Sequence, residues 1–108
     1  MSMTTRVTTD GRPAEEADLS INPTTGMQRD YIALSPEERA KGFVRPVRRT
    51  YVHQTCGGAT TMGLALAETY ARQPDFYSGT YCARCKTHFP VGASGDFVWD
   101  GTDEKVGT

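Results

Sequence analysis

Three features of this 108-residue chain predict a small α+β fold. Only seventeen residues are Leu, Ile, Val or Phe, about 16% of the chain and below the roughly 20% that usually supports folding on apolar burial alone. Two short pairs of ligand-type side chains, His53-x-x-Cys56 and Cys82-x-x-Cys85, stand 25 residues apart. Between them lies one helical apolar stripe. The expected architecture is an antiparallel sheet stapled through those pairs, with one inserted helix and an extended N-terminal arm. Its parts are the arm over 1–30, a stapled domain over 31–101 and a polar C-terminal tail over 102–108.

The arm is acidic and has little periodicity. Asp10-Gly11 and Asn22-Pro23 mark turns, and Pro13 to Ala17 suits a single helical turn with acids at its start. It contributes only Val7, Leu19 and Ile21 to the aliphatic count. It is therefore expected to be disordered, or ordered by something outside itself.

Tyr31 to Leu34 reads as a short extended run. Ser35-Pro36-Glu37-Glu38 is a helix start, with Ser35 as the cap, Pro36 first and Glu38 completing a capping box. Gly42 fits the left-handed position after this helix, and Phe43 the apolar contact that follows. Val44 to His53 is strand-like apart from Pro46, with Val47, Tyr51 and His53 on one side. Thr60 or Thr61 is the expected cap of the longer helix, which Pro74 stops after Gln73. Its stripe is Met62, Leu66 and Tyr70. Thr87–Val91 and Asp96–Trp99 read as two strands of one hairpin across Gly92–Gly95.

Two pairs at this spacing suit a tetrahedral zinc site, because each tight pair turns two side chains toward one ion. Thiolate and imidazole both suit zinc. All three cysteines of the chain are used, and the odd count argues against a closed set of disulfides. An antiparallel sheet held in this way is zinc-ribbon-like. The expected ligands of one structural Zn²⁺ are His53, Cys56, Cys82 and Cys85. His88 competes for the fourth place, but it lies on the outgoing strand, which favours His53 and leaves His88 a core or supporting role. Gly57 and Gly58 give the first turn a permissive backbone. Arg84 and Lys86 are placed to offset the net negative charge of three thiolates on one divalent ion.

No catalytic pattern is complete. Zinc deaminases pair His-x-Glu with a downstream Pro-Cys-x-x-Cys, but Thr55 stands where the glutamate belongs and Tyr81 where the proline belongs. Cys56 would also close a shell that catalysis needs open, and Glu68 lies too far along the helix to substitute. No Ser/His/Asp arrangement, phosphate loop or dinucleotide fingerprint is present, so neither an enzyme nor a small-molecule substrate is expected. No apolar run is long enough for a membrane span, and polar Met1 to Leu19 resembles no secretory signal.

Charge is unevenly spread within a formal net of -1. Residues 1–38 carry -4 and residues 39–60 carry +5, the latter from Arg39, Lys41, Arg45, Arg48 and Arg49. This basic neck is the candidate surface for nucleic acid or an acidic partner.

The runs Leu34-Ser-Pro-Glu-Glu-Arg-Ala-Lys-Gly-Phe-Val-Arg-Pro-Val-Arg-Arg49 and Ala67-Glu-Thr-Tyr-Ala-Arg-Gln-Pro-Asp-Phe-Tyr-Ser-Gly-Thr-Tyr-Cys82 resemble a family of small bacteriophage-type zinc-binding proteins. So do His88–Val91 and Phe97–Gly101. The resemblance spans about residues 30–108. It implies a viral origin, synthesis in a bacterial cytoplasm and zinc on the same four ligands, and it implies no activity. The expected function is that of a virion-associated assembly or accessory component, working through contacts with other phage structural proteins. The alternatives are a nucleic-acid-binding regulator and an inhibitor of a host protein.

Overall fold

The computed structural model describes residues 5–108. It is a small α+β fold in which every strand pair is antiparallel. The strands are β1 (Arg6–Thr8), β2 (Ile32–Leu34), β3 (Thr50–His53), β4 (Ala59–Thr61), β5 (Gly79–Cys82), β6 (Thr87–Pro90) and β7 (Phe97–Trp99), with helices α1 (Pro36–Arg39) and α2 (Leu64–Arg72). They form three small sheets, β1-β2, β4-β3-β7 and β5-β6.

Helix α1 starts where its sequence dictates, but the capping box is only half made, because the Ser35 amide donates to the Thr5 carbonyl and the Glu38 carboxylate pairs with Lys41. The Ser35 hydroxyl accepts from the Glu38 amide at 3.3 Å, and Pro36 occupies the first turn. Gly42 has φ 114°, but Phe43 after it stays 45% exposed instead of making an apolar contact.

Helix α2 starts later than expected, at Leu64 with Gly63 before it. Thr60 and Thr61 belong to β4 instead, where they pair with Tyr51 and Thr50. Pairing with β3 satisfies backbone groups there that a longer helix would otherwise have to satisfy. The helix buries Ala67, Thr69, Tyr70 and Ala71. Thr69 is fully buried, and its hydroxyl donates to the Ala65 carbonyl and accepts from the Leu34 amide at 3.0 Å. That pair of bonds fastens α2 to β2.

The expected hairpin of Thr87–Val91 with Asp96–Trp99 does not form. β6 instead folds back on β5, Thr87 opposite Cys82, and β7 crosses over to pair with β3, Phe97 opposite His53. The turn after Cys82 is itself the tight reversal that a hairpin needs. It pairs β6 with β5, and β7 completes the other sheet beside β3.

Two segments read as peripheral are built into the fold. β1 of the arm pairs with β2, Val7 opposite Ala33, and Arg12 bridges Asp30 at 2.6 Å. The arm, expected to be disordered or ordered from outside, is from residue 5 onward ordered on the chain's own body, and its first four residues lie outside the described ones. The tail also turns inward: Val106 is fully buried, and its amide donates to the Phe97 carbonyl. The core joins Tyr51, Met62, Ala67, Tyr70, Cys82, Phe97, Trp99 and Val106. Aromatic edge contacts, such as Tyr51 on Phe97 at 5.3 Å and Tyr70 on Trp99 at 5.6 Å, supply much of its packing.

Candidate metal centre

The first ligand turn leaves β3 at His53 and the second leaves β5 at Cys82. The two are built alike. The Gly57 amide donates to the His53 carbonyl, and the Lys86 amide donates to the Cys82 carbonyl, both at 2.7 Å. The fifth residue of each turn is left-handed, Gly57 at φ 74° and Lys86 at φ 58°. Each turn also aims an amide at a sulfur: Gly58 to Cys56 Sγ at 3.3 Å and Cys85 to Cys82 Sγ at 3.4 Å. Such donors stabilise thiolate.

One ligand atom from each of His53, Cys56, Cys82 and Cys85 lies within 4.8 Å of all the others. Cys56 Sγ is 3.6 Å from Cys82 Sγ, and His53 Nδ1 is 3.3 Å from Cys56 Sγ and 3.6 Å from Cys85 Sγ. A tetrahedron with metal–sulfur bonds of about 2.3 Å has edges of about 3.8 Å, and slightly less to nitrogen. The spacing is therefore that of four ligands around one ion. No disulfide joins the three cysteines. The Gly58 amide holds the Cys56 thiol down to about 7. Desolvation and then the neighbouring sulfurs push Cys85 up to about 11. A metal ion removes that mutual repulsion by binding all of them as thiolates.

His53 faces the cluster through Nδ1, which leaves Nε2 for Asp96 at 3.0 Å. The Asp96 carboxylate also accepts from the Thr55 hydroxyl and from the Thr55 amide at 2.9 Å, and these bonds hold its pKa below the usual range. A carboxylate behind a ligating imidazole fixes its tautomer and its direction. Rings flank the imidazole, with Phe89 stacked at 4.5 Å and Phe97 at 4.8 Å. Sequence reasoning missed Asp96, which carries no motif and reaches His53 only because β7 pairs with β3.

His88 lies outside the cluster. Its Nε2 is 2.7 Å from the Tyr31 hydroxyl, and burial lowers its pKa. The basic neck is dispersed over internal partners. Arg39 pairs with Glu68, Lys41 with Glu38, and Arg48 with Glu104 at 3.2 Å while lying over the Trp99 ring. Arg49 donates to the Met62 carbonyl and Arg45 to the Thr108 carbonyl.

Fold and site together define a small α+β protein with a His-Cys₃ cluster suited to one metal ion. No family model matches the chain, and neither a curated protein nor a solved structure matches it. Among the described residues no helix is long and apolar enough to cross a membrane.

Proposed function

We propose that this chain is a non-enzymatic zinc protein whose metal holds a scaffold for protein–protein contact, in the role of a phage assembly or accessory component. The observation that carries the non-catalytic reading is the donor set. Three sulfurs and one imidazole fill a tetrahedron and leave no position for a substrate or a reactive water. Zinc is the ion that set suits best.

The protein-contact reading is supported by the neck. Phe43, Val44 and Val47 are 45%, 57% and 39% exposed there, on a segment without regular structure. An exposed apolar cluster of this kind favours a protein partner. The cations around it already have internal partners, which weighs against a nucleic-acid regulator. The alternative of a host-directed inhibitor uses the same surface.

Two measurements test the proposal. Metal analysis of purified protein is expected to find about one zinc per chain, and a folded, metal-free chain overturns the zinc reading. Mass spectrometry of purified virions is expected to find the chain at a fixed ratio to known structural proteins. Its absence there, with abundance in the infected cell, overturns the assembly role.

A further inference from the structure

A pocket of about 250 Å³, open to solvent on one side, lies between α2, β4, β5 and the arm. All five tyrosines of the chain line it: Tyr31, Tyr51, Tyr70, Tyr77 and Tyr81 from different parts of the fold. Met27, Met62 and Leu66 add apolar wall, and none of the lining residues carries a charge.

The wall is locked in place. Tyr51 donates to the Tyr81 carbonyl, Tyr77 to the Ile32 carbonyl and Tyr81 to the Thr25 carbonyl, each at 2.5 Å. Tyr31 accepts from the Gln28 amide and bonds His88. Among the described residues, Tyr70 is the one phenol without a bond to backbone or histidine. The Thr80 hydroxyl, also on the wall, donates to the Tyr51 oxygen at 3.1 Å. Burial raises the pKa of Tyr51, Tyr70 and Tyr77, which keeps these phenols neutral.

We propose that this cavity binds a small uncharged aromatic molecule about the size of a fused bicycle. A dry apolar cavity of about 150 Å³ accommodates benzene, so the volume here takes a somewhat larger ring system. Charged ligands are disfavoured because no counter-charge lines the wall, and a desolvated ion without a partner is costly. Rings locked in position lose little further freedom on binding, which favours affinity. The Tyr70 hydroxyl is the donor for one polar atom of the guest. No cysteine, histidine, lysine or carboxylate lines the wall to activate its hydroxyls, so the molecule is a ligand and not a substrate.

Indole is the neutral probe, titrated into the full chain carrying ¹³C-methyl methionine. The Met27 and Met62 methyl signals are expected to shift saturably, with Kd below about 1 mM. Indole-3-acetate and tryptamine, which carry charge, are expected to bind about tenfold more weakly. Leu66→Trp puts a larger ring into the wall from a partly exposed position on α2, and is expected to weaken indole binding about tenfold. Tyr70→Phe removes one hydroxyl and is expected to cost about fivefold. Unshifted methionine signals at the solubility limit of indole overturn the proposal. Equal affinity for the charged probes, or undiminished binding by folded Leu66→Trp protein, overturns it too.

Discussion

The two ligand turns share one backbone and differ in what holds it. The first ends in Gly57, whose left-handed φ carries little steric cost and whose Cα faces open space. The second ends in Lys86, where the same conformation costs a side-chain-bearing residue about 1–2 kcal/mol. That cost is tolerated because the arm clamps the turn. A Cβ on Gly26 would lie 1.9 Å from the Lys86 carbonyl oxygen, so the arm's backbone sits directly on it. Tyr81, just before the turn, donates to Thr25 beside Gly26. The first turn is braced differently, by Asp96 behind His53. One local shape can thus be secured by its own residue type or by contact with a distant segment.

If zinc is bound as proposed, removing it should erase the distinction, because both turns would converge on one ion. Chelation, or Cys82→Ser at a fully buried sulfur, is expected to abolish the cooperative thermal transition. Structural zinc in such sites contributes on the order of 10–16 kcal/mol, against a net stability of roughly 5–15 kcal/mol for a small domain. Calorimetry with and without chelator checks this, and an unchanged melting curve would sink it.

Gly26→Ala attacks the second turn alone. The new methyl overlaps the Lys86 carbonyl and the residue keeps a left-handed φ of 80°, so a loss of about 3 kcal/mol is expected. Hydrogen exchange should rise together in the arm and at Lys86. Independent exchange of the two would show that the arm does not support the turn.

Asp96→Asn tests the first turn's brace. It keeps the shape and removes the charge, and zinc affinity measured by chelator competition is expected to fall about tenfold. Affinity equal to that of the parent protein would assign Asp96 to the Thr55 loop only.

The smallest effects are a matched pair. Gly57→Ala meets no neighbouring atom within 4 Å, so its cost is the backbone term, about 1–2 kcal/mol. Lys86→Gly relieves that term and is expected to stabilise by up to about 1 kcal/mol. Urea midpoints report both, and shifts of the same sign would break the comparison.

What was legible in the sequence is what depends on near neighbours. His53-x-x-Cys56 and Cys82-x-x-Cys85 could be read as ligand pairs because each turn closes through a hydrogen bond four residues apart. The Ser35 cap and the one longer helix were legible for the same reason, since their bonds run between close positions. The partner of β7, the burial of Val106, the seating of the arm and the approach of Asp96 to His53 were decided by tertiary structure alone. These contacts join residues far apart in the chain, and no local pattern specifies which sheet edge each strand completes. The thin aliphatic core has the same division. Its scarcity is written in the composition, whereas the gathering of five tyrosines around one cavity exists only once the strands, the helix and the arm have met.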